Sequence, residues 1–211
     1  MKTNEDEERA LSALSELLGP IFQAVTSDHD LSHVSRMLNI AERIVGEDTD
    51  LFLLKVAVWF HDLHRAGFVD KYIGRYIKNV LVTIGGFSEE EICLVIDAVE
   101  KHSFENDESD SPLLRDLKDA DRLDGRLIKI MRCCAGRSNL PFYLSEDFVE
   151  DPSSPADQKN FRSVVQDIRY NIRGLSMLRN PKAQRIGERT KEFYLWFLQE
   201  LEEEVREFGE I

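Results

Sequence analysis

Apolar residues recur at helical spacing along the whole chain, and no convincing strand alternation interrupts them. The pattern predicts an all-α, bundle-like fold. The first helix is expected from about Asp6 to Leu18, stopping at the breaker pair Gly19-Pro20. Ser27-Asp28-His29-Asp30 offers several N-cap residues for a second helix, which ends near Gly46. Leu51–Phe60 is apolar nearly all round, the mark of a buried helix. Glu47-Asp48-Thr49-Asp50 caps it and Gly67 ends it. Asp70–Ile84 is amphipathic, with Tyr72, Ile73, Tyr76, Ile77, Val80 and Leu81 inward. Ser88-Glu89-Glu90-Glu91 is a capping box; it opens a helix carrying Ile92, Val95, Ile96 and Val99 on one face and ending near Ser103. Pro112, in the favoured first position, starts a helix that reaches Leu123, with a continuation past Gly125 to Cys134 left open.

Gly136 to Ala156 is the longest stretch without periodicity and contains Pro141, Pro152 and Pro155. Such a loop is either a lid or a plain surface connection. Two helices close the chain. The last carries Tyr194, Phe197, Leu198, Leu201, Val205 and Phe208 on one stripe beneath an acidic outer face. That stripe packs either on its own core or on a second copy of the chain, as a homodimer. No internal repeat or interdomain linker is evident. One domain over residues 1–211 is expected, with a core at about 27–125 completed by helices within 155–211.

The formal charge of -13, with Lys and Arg scattered, argues against a nucleic-acid partner. A small anion drawn to a local pocket remains compatible with it. Leu51–Phe60 is too short to span a membrane and is interrupted by Lys55. The first residues lack an apolar signal core. Cys93, Cys133 and Cys134 are odd in number and not in a CxxC spacing, so a reducing cytoplasm fits best. Cys93 reads as a core residue.

The chemistry concentrates in the histidines, all in the first half of the chain: His29, His33, His61, His64 and His102. His61 and Asp62 end the most apolar helix, and a buried carboxylate is costly unless paired or bound to metal. His33 precedes Met37, Ile40 and Ile44 on one helix face, and His102 continues the stripe Ile92, Val95, Val99. Either alone reads as a satisfied core histidine. In Lys118-Asp119-Ala120-Asp121-Arg122-Leu123-Asp124, the spacing of Leu114, Leu117 and Asp121 puts Asp121 on the buried face. Asp119 points elsewhere, and Asp124 is a candidate supporting group one turn on. Three inward histidines and two inward carboxylates are satisfied together by one divalent cation. An imidazole–carboxylate set suits Mn, Fe, Co, Ni or Zn, and Mg less well. His29 and His33 have a metal-binding i, i+4 spacing. His29 is discounted, because a cap at Asp28 or Asp30 leaves it outside the helix.

The ordered set of His33 in Asp28-His29-Asp30-Leu31-Ser32-His33, then His61-Asp62, then Asp121 in Asp119-Ala120-Asp121-Arg122-Leu123-Asp124 resembles the HD-domain superfamily of metal-dependent phosphohydrolases. The segment from Phe87 through Glu100-Lys101-His102-Ser103-Phe104 is similar to a bacterial and archaeal branch that acts on nucleotides. The resemblance implies an all-helical fold and one divalent cation held by His33, His61, Asp62 and Asp121. It implies a small phosphorylated substrate, a nucleotide above all. Asp62 would orient the attacking water or accept its proton, and His102 would make a second contact to phosphate or water. Three departures stand out. Some relatives carry a glutamate where this chain has Arg65. Gly125-Arg126-Leu127-Ile128 replaces the usual small residues after the last aspartate. The further histidines of diiron and cyclic-dinucleotide relatives are missing, apart from His64 and His102. At the site mouth, His64, Arg65, Lys101 and Arg122 are candidates to meet an anionic substrate. The rival readings are a diiron oxygenase recruiting His64 or His102, and a non-catalytic helical module that retains a metal site.

Overall fold

The structure is a computed structural model that describes residues 3–25, 29–125, 127–136, 139–144, 147 and 161–208. Among these residues every regular element is helical. In order they are α1 (Asn4–Gln23), α2 (Leu31–Ile44), α3 (Leu51–Phe60), a 3-10 turn (Leu63–Ala66), α4 (Asp70–Ile84), α5 (Glu89–Lys101), α6 (Pro112–Arg122), α7 (Leu127–Gly136), α8 (Val164–Ser176) and α9 (Pro181–Phe208). No described helix is long and apolar enough to cross a membrane. The chain divides into two compact units, residues 1–121 and 122–211.

The first unit is built around α3. Eight of its residues, including Leu54, Val58, Trp59 and Phe60, are buried. It packs against α1, α2 and α5, while α4 covers α5 and the 3-10 turn. Asp50 caps α3 by accepting from Leu53 N–H, and Asp30 caps α2 by accepting from His33 N–H. Phe52 stacks on Phe87 with ring centroids 5.5 Å apart, tying the start of α3 to the entry of α5. The predicted capping box is present: Ser88 accepts from Glu91 N–H, and Glu91 accepts from Ser88 N–H. Gly67 ends the 3-10 turn with φ +90°, a left-handed conformation that favours glycine.

Several expectations are corrected. The first helix runs through Gly19-Pro20 to Gln23. Proline removes one hydrogen bond there, but Leu18, Gly19 and Phe22 are buried around it and hold the helix together. The chain leaves the α-helix at Phe60, so His64 and Arg65 sit on a 3-10 turn and not on a continued α3. Tyr72, expected inward, is exposed on α4. Cys93 is exposed, one position off the buried stripe of Ile92 and Val95. The Pro112 helix stops at Arg122, and Gly125 takes φ +80° before α7 begins.

In the second unit α8 packs on both α7 and α9. Tyr194 of α9 donates its hydroxyl to the Gly125 carbonyl at 3.0 Å. Phe208, expected on the buried stripe of α9, is 78% exposed, because it lies in the helix's last turn beyond Val205. Asp28, Arg126 and most of 136–156 lie outside the described residues.

Candidate metal centre

Three elements converge on one polar centre in the first unit. His33 comes from the first turn of α2, His61 and Asp62 from the end of α3, and Asp121 from the last turn of α6. His33, His61 and Asp62 are each at most 2% exposed. The ligand atoms of His33, His61 and Asp121 lie within 4.8 Å of one another. His33 Nε2 is 3.0 Å from His61 Nε2 and 3.7 Å from Asp121 Oδ1. Asp62 Oδ2 lies 3.1 Å from His61 Nε2 and 3.3 Å from His33 Nε2.

Backbone geometry sets the tautomer of His61. Its Nδ1–H donates to the Val58 carbonyl at 2.8 Å, so the neutral ring carries its lone pair on Nε2. That nitrogen meets a second imidazole nitrogen and a carboxylate oxygen, a grouping of ligand atoms that one cation could share. Burial disfavours the imidazolium, but Asp62 outweighs it and holds the His61 pKa above the ordinary imidazole value. For Asp62 burial also opposes charge, yet His61 and the hydrogen bonds from His29, His33 and His61 hold its carboxyl well below the usual range. Asp121 is lowered as well, with His33 and His61 outweighing burial. All donors are imidazole nitrogen or carboxylate oxygen, and the donor set therefore fits a divalent transition metal, with Mg fitting less well.

His102 repeats the geometry of His61. It follows α5 as His61 follows α3, and its Nδ1–H donates to the Val99 carbonyl at 2.7 Å. Its Nε2 is thereby left as the acceptor. The ring packs edge-on to His61, with centroids 5.4 Å apart. Burial, and then the charge of His61, lower its pKa and keep it neutral. His64 sits beyond it, with centroids 6.2 Å apart, and burial lowers its pKa too. The histidines His33, His61, His102 and His64 thus form a continuous row.

The other candidates are placed less centrally. Arg65 is exposed on the 3-10 turn. Arg122 closes α6 and is partly buried. Lys101 is not brought to the histidines: it pairs with Asp97 one turn back and borders a separate cavity with Phe104, Asp110 and Lys118. Asp119 does not point out of the core; it is fully buried, because α6 is enclosed on nearly every side. Asp121, not Asp119, joins the histidines, although its side chain is the more exposed at 35%. Asp124, a candidate support for the centre, pairs with Arg132 at 2.7 Å within the second unit.

His29, set aside by its position ahead of the helix, nonetheless reaches the centre. Asp30 is the cap and His29 does lie outside α2, but its Nδ1 sits 2.5 Å from Asp62 Oδ2. Leaving the helix swings the ring into the centre and not away from it. The i, i+4 spacing to His33 was the sequence signal for this proximity.

Histidines and aspartates from separate helices of an all-helical chain are thus gathered around a place for a cation. Residues 30–126 match the HD domain. Solved structures share the fold over nearly its whole length. Bacillus subtilis YpgQ in complex with ADP is 22% identical, with a TM-score of 0.72, covering 94% of this chain and 96% of its own. A Lactobacillus plantarum protein is 17% identical with a TM-score of 0.75, covering 97% of this chain and 98% of its own. An HD-superfamily hydrolase from Bacillus thuringiensis is 18% identical with a TM-score of 0.66, covering 96% and 97%. Among curated proteins none matches the sequence significantly.

Proposed function

We propose that this chain hydrolyses a phosphate ester or phosphoanhydride of a small molecule, specifically a nucleotide, using one divalent cation. The observation that carries the reading is the Nε2 of His61, its tautomer set by Val58, aimed at His33 and Asp62. His33, His61, Asp62 and Asp121 are the residues that would hold the cation. When bound, such a cation polarises a phosphoryl oxygen and lowers the pKa of a water molecule.

The chain's own groups divide the remaining work. Asp62, ionised far below neutrality, is a weak base and serves better to orient water than to take its proton. His102 presents a neutral Nε2 and is the better acceptor, or a direct contact to phosphate. His64 beside it, and the cationic Arg65 and Arg122, are the groups proposed to meet the anionic substrate. A nucleotide is favoured because YpgQ, of the same fold, was crystallised with ADP. Manganese is the metal to try first, and the cytoplasm is the proposed location.

A second reading has one observation in its favour. His29, His33 and Asp62 form another group whose ligand atoms lie within 4.8 Å, sharing His33 with the first. Two cations, as in a diiron oxygenase, would use both groups. The deciding experiment is a nucleotide panel with Mn, Mg, Co and Fe, resolving orthophosphate, pyrophosphate and nucleoside monophosphate. Hydrolysis of at least one nucleotide is expected with one metal per chain. Metal-loaded protein that releases no phosphate or pyrophosphate overturns the reading, and two irons with an oxygen-dependent product establish the rival.

A further inference from the structure

Asp62 Oδ2 is a carboxylate oxygen on which the histidines of the centre converge. Three imidazoles approach it: His29 Nδ1 at 2.5 Å, His61 Nε2 at 3.1 Å and His33 Nε2 at 3.3 Å. The three are not equivalent. His33 and His61 also group with Asp121, within 4.8 Å, whereas His29 groups only with His33 and Asp62. His29 therefore reaches the centre through the carboxylate, from the connection ahead of α2. A separation of 2.5 Å between an imidazole nitrogen and an ionised oxygen is a charge-assisted hydrogen bond, with the N–H donating. A nitrogen that donates its proton has no lone pair to give a metal.

We propose that His29 is a positioning residue, whose Nδ1–H holds the Asp62 carboxylate in the orientation that the cation shared with His33, His61 and Asp121 requires. This inference rests on the one-cation reading above. The alternative, His29 as a ligand to a second cation, demands the lone pair on the atom that here makes the hydrogen bond. Oδ2 has two lone pairs, and one accepting from His29 leaves the other on the side of His33 and His61. Fixing a carboxylate ligand in this way raises metal affinity by pre-paying its ordering.

The test is calorimetric titration of Mn into the metal-free full chain, reading affinity and stoichiometry. His29→Ala should bind one Mn with affinity about 10–100-fold weaker than wild type. His29→Asn, whose side-chain N–H falls near the position of Nδ1, should recover most of that loss. His29→Gln, whose amide reaches farther out, should not. A far-ultraviolet melt of each metal-free variant separates this from misfolding. Wild-type affinity in His29→Ala overturns the proposal. So does equal weakening in the Ala and Asn variants, which indicates packing alone. A wild type binding two Mn and a His29→Ala variant binding one makes His29 a ligand and overturns it too. A wild type that binds no Mn overturns the one-cation reading itself, and the proposal with it.

Discussion

The first unit holds two kinds of buried ionic cluster, and they differ in the groups that meet the carboxylates. Around α6 these are Lys and Arg. The Lys118 ammonium, with its side chain 1% exposed, donates to Asp110 Oδ2 at 2.8 Å and to the Glu105 carbonyl at 2.9 Å. Asp116 accepts from Gly46 N–H at 2.8 Å and from Arg115 Nε at 2.9 Å, and Arg115 extends to Asp48 at 2.7 Å. Every cation faces an anion, and the bonds staple α6 to the α2–α3 and α5–α6 connections. At the His/Asp centre the groups are imidazoles and carboxylates, with His61 Nε2 3.0 Å from His33 Nε2 and 3.1 Å from Asp62 Oδ2. Lys and Arg set against Asp hold a fold together; imidazole and carboxylate atoms at ligand spacing offer a place for a cation.

The contrast breaks most visibly if the ligands are removed. His61→Ala and Asp121→Asn should each abolish stoichiometric metal binding and phosphohydrolase activity, measured by elemental analysis and phosphate release; a variant that keeps one metal per chain contradicts the ligand set. Next in size, Lys118→Met should leave Asp110 buried without its partner and cost about 3 kcal/mol in chemical denaturation. The folded fraction should keep its metal stoichiometry, since this cluster is separate. Proton competition comes third. The His61 pKa is raised above 6.5 in the metal-free protein, so metal must displace a proton below that point. Metal affinity should therefore rise about tenfold per pH unit below the His61 pKa and level off above it. A flat profile between about pH 5.5 and 7 would mean that metal displaces no proton from His61. The smallest effect belongs to a group in neither cluster: Ser88→Ala removes the α5 cap at a cost of about 1 kcal/mol, read as a lower melting temperature, with metal affinity unchanged.

The same contrast explains what could be read without coordinates. The start of helix α3, the bounds of α4 and the Ser88 cap follow from local pattern, and the structure has them as expected. The grouping of His33, His61 and Asp121 was legible because each lies on an apolar face at a countable spacing. The Lys and Arg clusters were not legible. Gly46 and Asp116 are 70 residues apart, and Lys118 in a polar run looks solvated until the α5–α6 connection folds over it. His29 escaped for a related reason: periodicity says which way a helical side chain points, and it is silent one residue before the helix starts. Pro20 shows the opposite error, a local breaker overruled by burial on the far side of the turn.

The acceptors that orient His61 and His102 are both main-chain carbonyls, Val58 and Val99, three residues back along their own helices. Any residue at those two positions offers the same oxygen. The protonation pattern of both rings is therefore inherited from helical geometry and is indifferent to side-chain identity. Mutational drift can rewrite most of the surrounding sequence without touching it. Substituting Val58 or Val99 while its helix holds should leave both ring tautomers as they are.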